Sequence, residues 1–597
     1  MSTAAADELA ARPDLHGSFG MSASTHWIAT ATAQSVLERG GNAFDAATAA
    51  AFVLHVVEPH LNGPGGDLVA LIAEHGRTPV VLAGQGPAPA GATIEHFTSE
   101  GLDLVPGAGA LAAAVPGAVD AWLMLLRDKG TWRLGEVLEY AIHYAADGHR
   151  LSAAAASVIG TVATLFQEHW PSSARCWLTD GRPPRPGEVV VNPDYAATLR
   201  RLVAAGVGAD RQAEIDAARS AWRAGFVATA IADFVASTPH RHATGGDHLG
   251  VLRATDMARF SASYEAPVRV TFRGVTVFKA GAWSQGPVLL QTLQILSGFD
   301  DSELDVSTAH GIHLAVEAMK LAMADREAFY GSAMVGDLLA TLLSDEYASQ
   351  RRKLVSETAS TSLRPGMLDS PAYLPSLAVQ GSTVAVSAPG VGEPTVEVSG
   401  DTRGDTCHLD VVDRWGNMIS ATPSGGWLQS SPTVPGLGFC LGTRLQMTWL
   451  DPASPSALRP GQRPRTTLSP TMLGRGGHVT TALGTPGGDQ QDQWQLCYLL
   501  RTLIGSASPQ QAIEAPTFHT TGFPQSFWPR DWTPGGLVIE GRAGEEVITD
   551  LATRGHVVTR AGGWTLGRLS AVGRDPDTAQ LWAAANPRGA QGYAMGR

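Results

Sequence analysis

The chain has 597 residues, is 44% hydrophobic and 17% charged, and carries 67 Gly and 37 Pro. Ample apolar content excludes a disordered or filamentous chain, and length alone would allow about four domains. A net charge of −13, with no run of Lys and Arg, excludes nucleic acid and anionic membrane as expected partners.

The opening residues Met1–Ala10 lack the basic and apolar regions of a signal peptide, and no window reaches the roughly 18 apolar residues of a membrane span. Cys176, Cys407, Cys440 and Cys497 form no CxxC pair, which predicts reduced thiols and a cytoplasmic protein. Helix formers run over 26–39 and stop at Gly40-Gly41, and 43–58 is almost unbroken in small and apolar residues, a buried helix ended by Pro59. Asn62-Gly-Pro-Gly-Gly-Asp67 is a glycine-shaped turn, and 68–73 a buried strand. Helices are predicted at 119–128, 133–147, 194–204, 209–224 and 310–328. Residues 357–404 turn to Ser, Thr, Pro, Gly and Val without helical period, a loop of a length that often carries function. A strand is predicted from Thr406 to Asp413, a turn at 414–417 and a return strand at 418–422. Further strands fit 478–483, 536–540, 569–573 and 580–585. This pattern predicts a helix-rich first part and a strand-rich last part.

The motifs GxxxxGK[ST], HExxH, GxSxG and a strand-linked GxGxxG are all missing. Ser284 in Gly281-Ala-Trp-Ser-Gln-Gly286 has the wrong spacing for a nucleophile elbow and reads as a turn or substrate-side residue. His240, His242, Asp247 and His248 read as a polar loop, and no metal or other cofactor is expected. What remains is Thr406, a threonine at the start of a strand after a long loop. A threonine hydroxyl is a poor nucleophile without a base. Cleavage of the preceding bond would supply one, because the α-amino pKa of about 7.7–8.0 leaves neutral amine available. From the pattern alone, a threonine at a strand start is ordinarily just a strand residue.

The flanking segments resemble the γ-glutamyltransferase family. Thr406-Cys-His-Leu-Asp-Val-Val-Asp413 with Gly416-Asn417 matches its nucleophile motif. The start of the family's large chain is matched by Gly20-Met21 with Ser22 and Ser24, Gly40-Gly-Asn-Ala43 with Asp45-Ala-Ala47, and Val57-Glu-Pro59. Later come Arg463-Pro-Arg-Thr-Thr-Leu-Ser-Pro-Thr471 and Gly484-Thr-Pro-Gly-Gly488, in the family's order. The resemblance implies an α+β fold, the four-layered αββα sandwich of N-terminal-nucleophile hydrolases. It also implies self-cleavage between Asp405 and Thr406 into a heterodimer of residues 1–405 and 406–597. Thr406 would be the nucleophile, Ser424 its supporting hydroxyl, and Gly487 and Gly488 the oxyanion donors. Thr466 and Thr467 would stand where a serine pair holds the substrate carboxylate.

The match weakens around the substrate. Gln85 stands at the position of an arginine that binds the α-carboxylate, Thr448-Trp449 where an acid meets the α-amino group, and Gly425-Gly426-Trp427 where an Asn is expected. Gln cannot form the charged bidentate pair. Trp427 and Trp449 predict a more apolar pocket, and Arg444 and Arg465 could meet an anionic group or serve in ion pairs. The expected activity is hydrolysis or acyl transfer on a γ-glutamyl-like or other small-molecule amide, as in cephalosporin-acylase-like members. The alternatives are a C–C bond hydrolase of an antibiotic alkylproline pathway and a non-enzymatic binding relative.

Overall fold

A computed structural model describes residues 11–334, 336–368, 371–375, 406–590 and 592–597. Its centre is a pair of seven-stranded sheets. In chain order the strands are β1 (Leu15–Gly17), β2 (Gly20–Ser24), β3 (Asp67–Ala73), β4 (Val80–Gly84), β5 (Ser263–Glu265), β6 (Val268–Phe272) and β7 (Val275–Lys279). After the loop come β8 (Leu409–Asp413), β9 (Met418–Ser424), β10 (Thr471–Arg475), β11 (His478–Gly484), β12 (Ser570–Arg574), β13 (Leu581–Ala585) and β14 (Tyr593–Gly596). One sheet runs β14-β2-β8-β9-β3-β4-β5, the other β1-β13-β12-β11-β10-β7-β6.

The sheets face each other across a shared apolar layer that includes Met21, Val69, Leu71 and Val412 from one and Met472, Ala482, Val572 and Ala583 from the other. The outer face of the first sheet, with Leu68, Ala70, Leu409, Val411 and Ile419, packs under helices Ala43–Val57, Ala118–Lys129 and Leu134–Ala146. The outer face of the second, with Val277, Leu473, Leu483 and Ala571, packs under helices Pro287–Leu296, Ala309–Phe329 and Gln491–Leu503. The order through the molecule is helices, sheet, sheet, helices. Strands buried on both faces explain why β3 reads Asp-Leu-Val-Ala-Leu-Ile-Ala without polar alternation, all of it buried.

Helix Ala43–Val57 is buried at every position, each large apolar side chain contributing about 1.5–3 kcal/mol on leaving water. Asn42 caps it by accepting from Phe44 N and Asp45 N, at 2.9 and 3.0 Å.

The helix-rich first part is observed, with fifteen of the eighteen α-helices among the described residues before Thr406, but the sheets are built from both parts. Seven of the fourteen sheet strands precede Thr406 and seven follow it, and the two sets alternate within the first sheet. The last strand, β14, pairs with β2 in the register Met21↔Gly596, and the Phe19 amide donates to the Arg597 carbonyl at 2.7 Å. The predicted strand from Thr406 begins at Leu409, with Thr406 itself in an isolated antiparallel bridge to Ser424. Helices Ala153–Glu168, Phe226–Ser237, Pro287–Leu296 and Gln491–Leu503 add to those predicted.

Candidate active site

Strand alternation sorts the residues around Thr406. Cys407, Leu409 and Val411 enter the helix-side core, whereas Val412 faces the opposing sheet, as period two requires of Thr406, His408 and Asp410 as well. The Cys407 amide donates to the Pro423 carbonyl at 3.0 Å, and the Thr406 and Ser424 hydroxyl oxygens lie 3.0 Å apart, both residues buried. Beneath them, His408 Nδ1 is 2.9 Å from Thr422 Oγ1 and its Nε2 is 2.9 Å from Asp410, which accepts from Ser570 of the other sheet at 2.8 Å. Only glycine fits against this imidazole at position 484, where a Cβ would lie 2.3 Å from a ring carbon.

On the helix side, Glu58 Oε2 accepts from Thr25 at 2.6 Å and from the Cys407 thiol at 3.0 Å, and Asn62 donates to the same sulfur at 3.1 Å. Burial raises the Glu58 carboxyl above its ordinary value, opposed by these hydrogen bonds. Burial also drives the Cys407 thiol well up, so it is a packing group and not a competing nucleophile.

The turn Asn62–Asp67 lies on the end of β9. A Cβ at Gly65 would meet the Cys440 carbonyl oxygen at 2.1 Å, and one at Gly66 the Ser424 carbonyl oxygen at 2.1 Å. Asp67 pairs in register with Ser424 and takes both prongs of Arg444, at 2.7 and 2.8 Å. Burial lifts the Asp67 carboxyl and the Arg444 charge pulls it back. The pair borders a small cavity with Gly65, Gly66, Gly86, Ala114, Val115 and Gly442. Of the two readings the sequence left open for Arg444, the structure shows the ion pair, with Nε and Nη2 both on Asp67. Arg465 is likewise paired with Glu327, at 2.8 Å.

Past the end of β11, Gly487 and Gly488 turn with φ of 121° and 46°, both left-handed, and a Cβ at Gly487 would lie 2.3 Å from the Trp494 ring. Thr466 is pinned to the Ser284 turn, its amide donating to the Trp283 carbonyl at 3.0 Å and its carbonyl accepting from Gln285 at 2.8 Å. Ser284 caps its own turn by donating to the Gly281 carbonyl at 2.9 Å, a structural role. Gln85 reaches the same segment, donating to the Pro464 carbonyl at 3.0 Å. Gln85 Oε1 and Thr467 Oγ1 are buried with no hydrogen-bond partner among the described residues, as are Trp449 Nε1 and Arg530 Nη1. Asp405 lies outside the described residues.

No sequence signal marks the charged cluster behind this site. Asp489, next to Gly488, accepts from the Ser526 amide and hydroxyl at 2.7 Å each and pairs with Arg326; Arg326 and Arg465 share Glu327. No motif joins these segments, and only the fold does. The His240 to His248 stretch forms a short hairpin in which His242 Nε2 accepts from Leu111 N at 2.9 Å, Arg241 pairs with Asp247, and His248 meets Glu100 at 2.7 Å. Among the described residues, His313, Glu317 and His556 lie close enough to share an ion, but Lys320 and Arg364 already neutralise Glu317.

Comparison with known proteins agrees with this geometry. The family model described as gamma-glutamyltranspeptidase matches residues 29–596. The chain belongs to the γ-glutamyltranspeptidase family. Among relatives, the Acylase ACY 1 proenzyme of Pseudomonas sp. (strain SE83) is 29% identical, over 95% of this chain and 92% of its own. The solved structure of LmbA2991HD is 52% identical with a TM-score of 0.93, covering 99% of this chain and 100% of its own. The crystal structure of cephalosporin acylase from Bacillus halodurans is 27% identical with a TM-score of 0.81, covering 100% of this chain and 98% of its own. This γ-glutamyltranspeptidase-family protein is therefore an enzyme, a hydrolase or acyltransferase of the γ-glutamyltransferase and acylase kind.

Proposed function

We propose that the protein cuts itself before Thr406 and then hydrolyses small amides through an acyl-enzyme on that threonine. The observation that carries this reading is the Thr406–Ser424 hydroxyl contact at the head of β8, facing the strand of the opposing sheet that leads into the Gly487-Gly488 turn. In self-cleavage, the Thr406 hydroxyl adds to the Asp405 carbonyl, the acyl group moves from nitrogen to oxygen, and water releases a two-chain enzyme. The freed α-amine then takes the hydroxyl proton as Thr406 attacks the substrate carbonyl and returns it to the leaving group. Ser424 orients the hydroxyl. The Gly487 and Gly488 amides receive the oxyanion, each such donor being worth about 2.7–4 kcal/mol. Water attacks the acyl-enzyme by the same amine's help.

Gln85 and Trp449 at the usual charged positions favour an acyl group other than the γ-glutamyl zwitterion, since mismatched buried polar recognition costs large discrimination factors. Nothing in this machinery requires the leaving group to be nitrogen. Hydrolysis of a C–C bond beside a carbonyl is the second reading, favoured by the loss of both γ-glutamyl anchors.

The test is a denaturing gel with N-terminal sequencing, beside Thr406→Ala. A smaller band beginning Thr-Cys-His-Leu-Asp, absent in the variant, is expected, with activity in the variant down on the order of a millionfold. An uncut chain in both, or near-wild-type turnover by Thr406→Ala, would overturn the proposal.

A further inference from the structure

A small cavity opens between the ends of β2, β12 and β13, and nothing in the machinery above uses it. Ser24, Thr25, Arg568, Ser570, Asn586 and Arg588 are among the residues that line it. Its room is about that of one water molecule, enough for the tip of a carboxylate. The hydroxyls are committed elsewhere, Thr25 donating to Glu58 at 2.6 Å and Ser570 to Asp410 at 2.8 Å. Arg588 is spent on Glu540. Asn586 is buried, and its Oδ1 accepts from the Arg588 amide at 2.8 Å, which makes Nδ2 a donor that meets no acceptor among the described residues. Among the same residues the Arg568 guanidinium makes no hydrogen bond or ion pair; only its amide is engaged, to Thr485 Oγ1 at 3.2 Å. Glu58 is close enough to feel the guanidinium charge, but its Oε2 is held by Thr25 and Cys407, and burial raises its carboxyl. A partly buried cation and a buried amide donor thus line one cavity without an acceptor, an arrangement that an anion completes.

Strand order puts this cavity across the nucleophile from the acyl side. In one sheet β8, which Thr406 precedes, lies between β2 and β9; in the other, β11, which leads to Gly487 and Gly488, lies between β12 and β10. Gln85 follows β4, on the β9 side, and Thr466 and Thr467 precede β10. Ser24 ends β2, Arg568 lies two residues before β12, and Asn586 follows β13. Arg568 is nonetheless close to both halves of the machinery. Thr485, which its amide meets, is two residues before Gly487, and the Trp494 ring lies against both Gly487 and Gly567. The charge of Arg568 also acts on the Cys407 thiol, one residue after Thr406. A carbonyl held between Thr406 and the glycine turn sends its acyl chain to one side and its leaving group to the other.

We propose that Arg568 and the Asn586 side-chain amide receive a carboxylate of the leaving group, and so select substrates whose departing fragment is an anion. Both residues meet the half of the substrate that departs and not the half that acylates Thr406. They touch substrate away from the reacting bond, which makes them specificity residues. The preference is the same whether the bond cut is C–N or C–C, because the charge is read at a distance from it. This proposal rests on Thr406 being the nucleophile.

The probes are butyryl 4-nitroanilide and butyryl 3-carboxy-4-nitroanilide in turnover, and the amines they release, 4-nitroaniline and 5-amino-2-nitrobenzoate, in equilibrium dialysis. Each pair differs by one carboxylate on the leaving group. The wild-type protein is expected to bind the charged amine more tightly and to show the lower KM for the carboxylated anilide. Arg568→Met should raise that KM by about tenfold or more relative to the plain anilide, with the loss on KM and not on kcat. Comparing variant with wild type cancels the electronic difference between the two anilides. Arg568→Lys should recover part of the preference. Asn586→Asp, which keeps the acceptor for the Arg588 amide and replaces the donor by an acid, should favour the neutral amine. Thermal melting reports whether each variant is folded. Equal binding of the two amines, no binding of either by the wild type, or a carboxylate preference that survives in folded Arg568→Met would overturn the subsite. Selective binding of the charged amine that Arg568→Met abolishes, without cleavage of either anilide, would sink the amide-hydrolase reading and leave the subsite standing.

Discussion

At the scale of single residues, the site depends on positions where a side chain has been left out. Gly487 could not become alanine without driving a carbon to 2.3 Å from the Trp494 ring, at a φ of 121° that L side chains rarely adopt. Gly488, at φ 46°, lies in the left-handed region that other residues reach at a cost of about 1–2 kcal/mol. Gly487→Ala should therefore lower kcat by about 10²–10³-fold, as for loss of one oxyanion donor, and Gly488→Ala by less. With equal amounts of cut enzyme, kcat and kcat/KM should fall together, the sign of an interaction made only in the transition state. The candidate residues themselves were legible in the sequence. Thr406 and the glycine pair were singled out by their order among the family's segments, because the strand pattern around Thr406 is one that an ordinary threonine shares. The cluster of Arg326, Glu327, Arg465 and Asp489 was not legible, because these residues converge only in three dimensions. Gln85 was readable as a substitution, yet the sequence did not show that its amide would turn to the Pro464 carbonyl.

At the scale of elements, the turn after helix Ala43–Val57 and the segment around Arg444 are clamped by one ion pair. Asp67 opens β3, and Arg444 lies in a 3₁₀ turn 377 residues away. Both groups are almost fully buried. Asp67→Asn or Arg444→Met alone leaves a buried charge without its partner and should cost about 3–5 kcal/mol, whereas the double variant should cost less than the sum. Urea unfolding of the four proteins measures this directly, and strictly additive losses would show that the pair is not coupled. The elements themselves were read best where they are long or unbroken. Helices Ala43–Val57 and Ala309–Phe329 follow from extended helix-forming runs. Short strands such as β2, β5 and β14 carry too few residues for a period of two to declare itself, and Pro287–Leu296 is so apolar that no helical face shows.

For the molecule as a whole, the sheets were the least legible feature. Composition separates a helical half from a stranded half, but hydrogen bonding threads both through each sheet. β8 and β9 lie between β2 and β3, and β10 pairs with β7. If the chain is cut before Thr406, the two pieces share ladders on both sides and three apolar layers. They should leave a gel-filtration column as one species under native conditions and separate only in denaturant; separation in plain buffer would contradict this packing. The strand ladder also brings early and late segments together, with β14 against β2 and the Arg597 carbonyl beside Phe19. In topological terms the polypeptide is close to a ring broken at one seam. A gene rearranged to begin at Thr406 and run through that seam would visit the same ladders in the same spatial order. Such a protein would carry only an initiator methionine before Thr406, so removal of that one residue would expose the threonine's amine without an internal cut.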